Sequence, residues 1–170
     1  FNKLINTDKQ AIVQIQNKLR QFSQKLRNNS DFKNVWLQLI DKNGVSKLRT
    51  WTDKKGDSLL HARQDIKQLI NHPQPLSSIS TGKFSISFKS IVPVYNENKE
   101  LQGFVESITH FNSIEKKLDK IKYSSLVVVD KRYKNQLTKA VTKLFINDYY
   151  IANFQPSSIA LSLVTNKGIK

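Results

Sequence analysis

The sequence predicts an α+β domain built on an antiparallel sheet, and three observations predict it. Ile5, Ile12, Ile15, Leu19, Phe22 and Leu26 fall at 7-3-4-3-4 spacing, which makes one long helix with a single apolar seam. The turn Asp41-Lys42-Asn43-Gly44 separates two short apolar segments, and Asn-Gly between such segments is a hairpin signal because it supplies positive φ. A second pair of strands, 84–95 and 101–110, is joined by the polar turn 96–100, with Phe84, Ile86 and Phe88 alternating cleanly. Helices set apart from hairpins in this way give an α+β layering.

Taken in order, the first helix has Thr7 or Asp8 as a cap and Asn28-Asn29-Ser30 as a stop. Residues 35–40 form a strand, and 45–51 return beside it with Val45, Lys47, Arg49 and Trp51 on one face. A loop, 52–57, leads to a helix over 59–70 that carries Ile66, Leu69 and Ile70 and stops before Pro73. Residues 77–83 are small and polar, a mobile linker or lid. In the strand 101–110, Glu106 shares a face with Phe104 and Ile108, while Ser107 shares the other with Val105. Beyond it, 113–119 read as a short helix capped by Asn112 or Ser113, and 126–130 as a buried strand. Residues 135–145 are a helix or an irregular basic segment, and 149–153 and 159–164 are terminal strands. The first helix would cover one face of the sheet. The 59–70 helix and the lid would cover the other, leaving a pocket between lid and sheet.

Composition narrows the function. The 170 residues suit one domain with a real core, and no run approaches the roughly 18–20 apolar residues of a membrane helix. The chain begins at Phe1 and contains no methionine, so it reads as a piece of a longer protein in which residues 1–5 follow a membrane segment. Cysteine is absent, which excludes disulfides, thiolate metal sites and cysteine nucleophiles and agrees with an extracytoplasmic compartment. The net charge of +15 comes from 28 basic and 13 acidic residues spread without a block. That pattern points to a lysine-rich solvated surface and to no specific nucleic-acid partner. His61, His72 and His110 are too separated to argue a metal site, no cofactor motif is present, and neither a Gly-x-Ser-x-Gly elbow nor a phosphate loop occurs. The chain is therefore expected to be a non-enzyme with no metal and no cofactor.

One stretch carries recognition chemistry. In Leu48-Arg49-Thr50-Trp51 a guanidinium and a large aromatic project from the same side of a strand. A five-donor fork beside an aromatic wall suits a carboxylate or another planar polar group. Arg63 follows as a second fork. Two readings of these arginines stand open: capture of a ligand carboxylate, or internal pairing with Asp57, Asp65 or Glu106. Trp51 either stacks on a ligand or fills the core. Glu106 and Asp57 either receive an amine or, for Glu106, pin the hairpin.

The ordered pieces Val35-Trp36-Leu37-Gln38-Leu39-Ile40 with its Asp-Lys-Asn-Gly turn, Leu48 to Trp51, Gly56-Asp57, Arg63-Gln64-Asp65, Ile91-Val92-Pro93-Val94-Tyr95 and Leu101-Gln102-Gly103-Phe104-Val105-Glu106 resemble the Cache sensor domains. These are PAS-like extracytoplasmic modules of bacterial transmembrane receptors, and the likeness covers roughly residues 5–115. It implies a central antiparallel sheet with the long N-terminal helix packed on it, divided as a signalling helix, 1–30, and a Cache-like sensor module, 31–170. It also implies a pocket over the sheet with Arg49, Trp51, Asp57 and Arg63 at its rim and Ser85, Ser87, Glu106 and Ser107 in its floor. The partner implied is a small molecule, an amino acid, organic acid or amine, bound by the periplasmic part of an inner-membrane chemoreceptor, histidine kinase or diguanylate cyclase. A homodimer through the N-terminal helix belongs to the same picture. The alternative class is an interaction module that takes a periplasmic protein or a polyanion on its basic surface.

Overall fold

The computed structural model describes residues 9–32 and 34–169. Ile5, the proposed caps Thr7 and Asp8, and the segment 1–5 lie outside the described residues. Contacts group the chain into two compact units. The first runs to Ser78 and takes in Lys89–Thr109; the second comprises Ile79–Phe88 and the chain from His110 onward.

In the first unit, α1 (Lys9–Asn29) is the expected long helix. At its end Ser30 Oγ donates to Leu26 O at 2.6 Å and Asn29 Nδ2 to Lys25 O at 2.9 Å, so two carbonyls of the last turns find side-chain donors. Ile12, Ile15, Leu19 and Leu26 of the expected seam are half-buried, and only Phe22 departs from it. Phe22 is 53% exposed, whereas Ser23 is 1% exposed and donates to Val35 O at 2.6 Å. A serine at that place is small enough for close approach and closes a buried hydrogen bond, so the inward line passes through Ser23 and turns Phe22 outward.

Five strands, β1 (Val35–Asp41), β2 (Ser46–Arg49), β3 (Leu76–Thr81), β4 (Ile86–Tyr95) and β5 (Leu101–Thr109), form one sheet in the order β2-β1-β5-β4-β3. β1 pairs antiparallel with both β2 and β5. The α+β class and the antiparallel central sheet are those the sequence predicts. The lid is corrected: most of 77–83 is strand β3, at the sheet edge. Leu76, Ser78, Ser80 and Thr81 are its half-buried positions, and serines at the alternating inward positions hide a period-two pattern from any hydrophobic reading.

Alternation along β1 places Val35, Leu37 and Leu39 on one face and Trp36, Gln38 and Ile40 on the other. Helix α2 (Gln64–Asn71) is shorter than the predicted 59–70. It supplies Ile66 and Leu69 to a buried cluster with Ile40, Ile91 and Phe104, packed around by Leu59, Leu60, Ile70, Leu76 and Leu101. The cluster uses the Ile40 face. The Val35 face, equally buried, is the side left to α1, which packs along β1.

The second unit has its own core of Val129, Leu137, Tyr150 and Ala152, backed by Ile86, Val127 and Ala140. Helix α3 (Asn112–Lys120) opens its C-terminal part, and β6 (Val128–Val129), β7 (Phe145–Ile146) and β8 (Tyr149–Ile151) form a small sheet in the order β6-β8-β7. The ambiguous segment 135–145 is largely irregular after a short 3-10 helix, Lys131–Gln136. Residues 159–164, expected as a strand, belong to helix α4 (Ser158–Lys167). The cause is a cap: the Ser157 side chain accepts from Ala160 N, and Gly168, at φ 75°, ends the helix.

Candidate functional site

The candidate site lies in the first unit, on the sheet face that carries Ile40. One ladder position strings polar side chains across three strands. Gln38 on β1 sits opposite Arg49 on β2 and opposite Glu106 on β5. All three are buried, Glu106 completely, and so is Lys89 on β4. The sheet therefore changes character along this face, from the apolar cluster of Ile40, Phe104 and Ile91 to a row of amide and charged groups.

Local sequence explains how Arg49 is held. Gly56, at φ 85°, and its neighbours turn the loop after β2 back onto that strand, with Gly56 N donating to Ser46 O at 2.7 Å and Ser46 N to Asp57 O at 3.0 Å. This brings Asp57 to the guanidinium. Arg49 Nη1 donates to Asp57 Oδ1 at 2.6 Å and Nη2 to Oδ2 at 2.9 Å, while Nη1 also donates to Lys54 O at 2.9 Å. Those Arg49 hydrogen bonds hold the Asp57 carboxyl below the usual carboxylate range against the opposing effect of burial. The Arg49 guanidinium lies 6.0 Å from the centre of the Trp51 ring, and Trp51 stacks on Trp36 at 5.1 Å with 16° between the planes. The aromatic wall is thus a tryptophan pair.

Arg63 stands at the N-cap position of α2, and its side chain makes no cap bond but turns to carboxylates. Its Nε and Nη2 grip Asp65 at 2.8 and 2.7 Å, and Nη2 also donates to Glu106 Oε1 at 2.6 Å. Burial alone would lower the Arg63 guanidinium; Asp65 and Glu106 outweigh it and raise it. Asp65 shows the mirror balance, where burial would raise the carboxyl but the bonds and charge of Arg63 hold it down. Lys89 is pushed down to about 8, first by burial and then by the charge of Arg63, with Glu106 and Asp65 opposing.

Two polar atoms in the row have no hydrogen-bond partner among the described residues: Gln38 Nε2, a donor, and Glu106 Oε2, an acceptor. They belong to directly opposed residues on one face. Buried polar atoms are ordinarily paired, and an unpaired donor and acceptor at one ladder position call for a third group that serves both. Among the described residues no group of three His, Cys, Asp or Glu side chains is placed to hold a metal ion.

No protein-family profile and no curated protein matches this chain. Solved structures to which it is similar include the DcuS sensor domain of Escherichia coli, at 15% identity over 59% of this chain and 71% of that one, with a TM-score of 0.45. A domain of a sensory box/GGDEF family protein from Vibrio parahaemolyticus is similar at 17% identity over 76% of this chain and 55% of that one, with a TM-score of 0.48. The periplasmic sensory domain of the Campylobacter jejuni chemoreceptor Tlp1 is similar at 12% identity over 97% of this chain and 75% of its own, with a TM-score of 0.32. The first and third of these are sensor domains. Among the described residues no helix is long and apolar enough to cross a membrane.

The structure brings Arg49, Trp51, Asp57, Arg63 and Glu106 into the first unit as two paired arginines, an aromatic stack and a buried carboxylate. Ser107 is also in this unit, but it sits opposite Leu37 on the reverse face of the sheet from Glu106. Ser85 and Ser87 are buried in the second unit. Gln38 and Lys89 in the row were not among the sequence-derived candidates, and Asp65 entered only as an internal partner of the arginines. Each left a trace. Gln38 is the lone polar residue in Val35-Trp36-Leu37-Gln38-Leu39-Ile40, Asp65 lies two positions from Arg63, and Lys89 shares the alternation of the buried Ile91.

Proposed function

We propose that the chain is the ligand-binding sensor domain of a transmembrane signalling receptor, lying on the extracytoplasmic side, and that it binds a small polar, carboxylate-bearing molecule over the Gln38–Glu106 row. The observation that supports this reading is the pair of buried, unpartnered atoms of opposite hydrogen-bonding sense, Gln38 Nε2 and Glu106 Oε2. The ordered Cache-like motifs of the sequence give the receptor context.

Charge balance refines the ligand. Arg49, Arg63 and Lys89 are three cations, and Asp57, Asp65 and Glu106 are three carboxylates, so the set is neutral. Both arginines already hold internal carboxylates, which turns the simple arginine-to-ligand reading toward the open donor and acceptor. A dianion or a simple amine would unbalance a buried neutral set at a high electrostatic cost. An amino-acid zwitterion matches it, with its ammonium on Glu106 Oε2 and a carboxylate oxygen on Gln38 Nε2. Arg49 and Trp51 then shape the rim from their clamp and stack.

In the receptor, ligand binding biases signalling only through its differential affinity for two states of the chain. The helix that transmits the bias is α1, and Phe22, turned outward on it, is the residue through which a second copy would pack. Sedimentation of Phe22→Asp against the unmodified chain tests that contact, and an unchanged dimer would exclude it.

The deciding experiment is a thermal-shift screen of amino acids, organic acids and amines. A true ligand at about 100 times its Kd stabilises the chain by about 2.7 kcal/mol. Glu106→Gln and Gln38→Leu each abolish the shift in variants that still unfold cooperatively. Silence across the whole screen would sink the small-molecule reading.

A further inference from the structure

The second unit carries a surface that ligand sensing does not use. Helix α3 buries Ser113 and Glu115 and turns its other side to solvent. Ile114 and Ile121 stand seven residues apart, two helical turns along one face, with half-buried Leu118 between them. Exposed lysines flank this line at Lys116, Lys117, Lys120 and Lys122, and Asp119 is the exposed acid among them.

The helix ends in two characteristic bonds. Tyr123 N donates to Leu118 O and Lys122 N to Asp119 O, each at 3.0 Å, the pattern of a Schellman cap. Lys122 takes the left-handed position at φ 66°, where glycine is the usual residue. The cap turns the chain sharply and leaves Ile121 61% exposed and Tyr123 66% exposed beside the lysines. Such a ridge joins two properties. Its large apolar tips gain by leaving water, and its long cationic side chains can keep their heads at a polar boundary while their stems lie along apolar matter.

We propose that this ridge docks the chain on an anionic lipid surface, with the lysines at the headgroups and Ile121 and Tyr123 in the headgroup–acyl boundary. The charge is complementary to that surface, four lysines against one exposed acid. A soluble polyanion would satisfy the lysines alone and offers no apolar boundary for Ile121. That difference selects the bilayer.

The test is co-sedimentation of the whole chain with vesicles of mixed phosphatidylglycerol and phosphatidylcholine, and with phosphatidylcholine alone. Binding is expected only to the anionic vesicles and weakening with salt. Ile121→Asp is expected to weaken it about tenfold, and Lys116→Glu with Lys120→Glu by at least as much. In Ile121→Trp, acyl-chain bromines are expected to quench added fluorescence that the unmodified chain lacks. These positions are exposed, so folding should survive each change, and circular dichroism checks it. Absence of binding to anionic vesicles at low salt would overturn the proposal. So would binding that ignores Ile121→Asp and is matched by equal affinity for heparin, the behaviour of a purely electrostatic polyanion surface.

Discussion

Arg63 and Glu106, 43 positions apart in sequence, meet through an Nη2–Oε1 hydrogen bond of 2.6 Å that ties the start of α2 to the middle of β5. Glu106 is 0% exposed and Arg63 is its cation. Removing one partner of a buried pair costs about 3–5 kcal/mol because the other charge is left without compensation. Arg63→Ala should therefore lower stability by about that much in urea unfolding. Arg63→Met combined with Glu106→Leu should recover most of the loss, since a buried ion pair and an apolar pair of similar size differ little. A loss below about 1 kcal/mol in the single variant would show that the pair is not the link between helix and sheet.

Lys89 gives the chain an alkaline signature. Its folded pKa of about 8 lies below the ordinary 10.5. Below pH 8 both folded and unfolded states carry the proton, and the folded state bears the full cost of a buried ammonium. Between pH 8 and 10.5 the unfolded chain holds the proton and the folded chain releases it, so stability rises with pH. A shift of this size corresponds to about 3 kcal/mol. Urea titrations should show this rise in the unmodified chain relative to Lys89→Met, in which the buried amine is gone. Parallel curves for the two proteins would remove Lys89 as the cause. The lowered carboxyls of Asp57 and Asp65 act at the other end. Their contribution is present above the unfolded carboxylate value near 3.9 and is lost as pH falls through their folded values.

Gln38 separates stability from binding. An amide donor buried without a partner carries a desolvation cost of about 1–3 kcal/mol, and Gln38 Nε2 is such a donor. Gln38→Leu keeps much of the volume and removes that cost, so the free chain should become more stable by about 1 kcal/mol. The same change should erase the ligand-induced thermal shift. A variant that loses stability instead would mean that the amide is satisfied in solution, for example by a bound water.

The hairpins were legible in the sequence because β1, β4 and β5 carry apolar residues at core positions and the Asp41–Gly44 turn has a strong chemical signature. Strand β3 was not, because serines hold its inward positions, nor was α4, whose apolar run fits either a helix or a strand until the Ser157 cap decides it. At the site, sequence could state the alternatives for the two arginines, ligand capture or pairing with Asp57, Asp65 and Glu106, and in the structure those pairs are formed. It could not align Gln38 with Glu106. That match depends on the register between β1 and β5, in which Gln38 and Glu106 lie 68 positions apart, and pairing between distant strands leaves no local mark.

Gly44 tests how tightly the first unit is closed around its turn. It sits at φ 75°, and its carbonyl accepts from Leu59 N at 2.9 Å. A Cβ added there would lie 2.6 Å from Leu60 Cδ2 and 3.1 Å from Ile70 Cδ1. Both neighbours pack on the Ile40, Ile66 and Phe104 cluster, so relief of the clash must disturb that packing. Gly44→Ala thus incurs a left-handed backbone cost of about 1 kcal/mol and an overpacking cost of about 1–3 kcal/mol. Gly56→Ala is the control: φ is 85° there too, but nothing lies within 4 Å of the added Cβ. It should show the backbone cost alone. Urea unfolding of the two variants side by side isolates the packing contribution, and equal losses would mean that Leu60 and Ile70 yield freely and the turn is not pressed against the core.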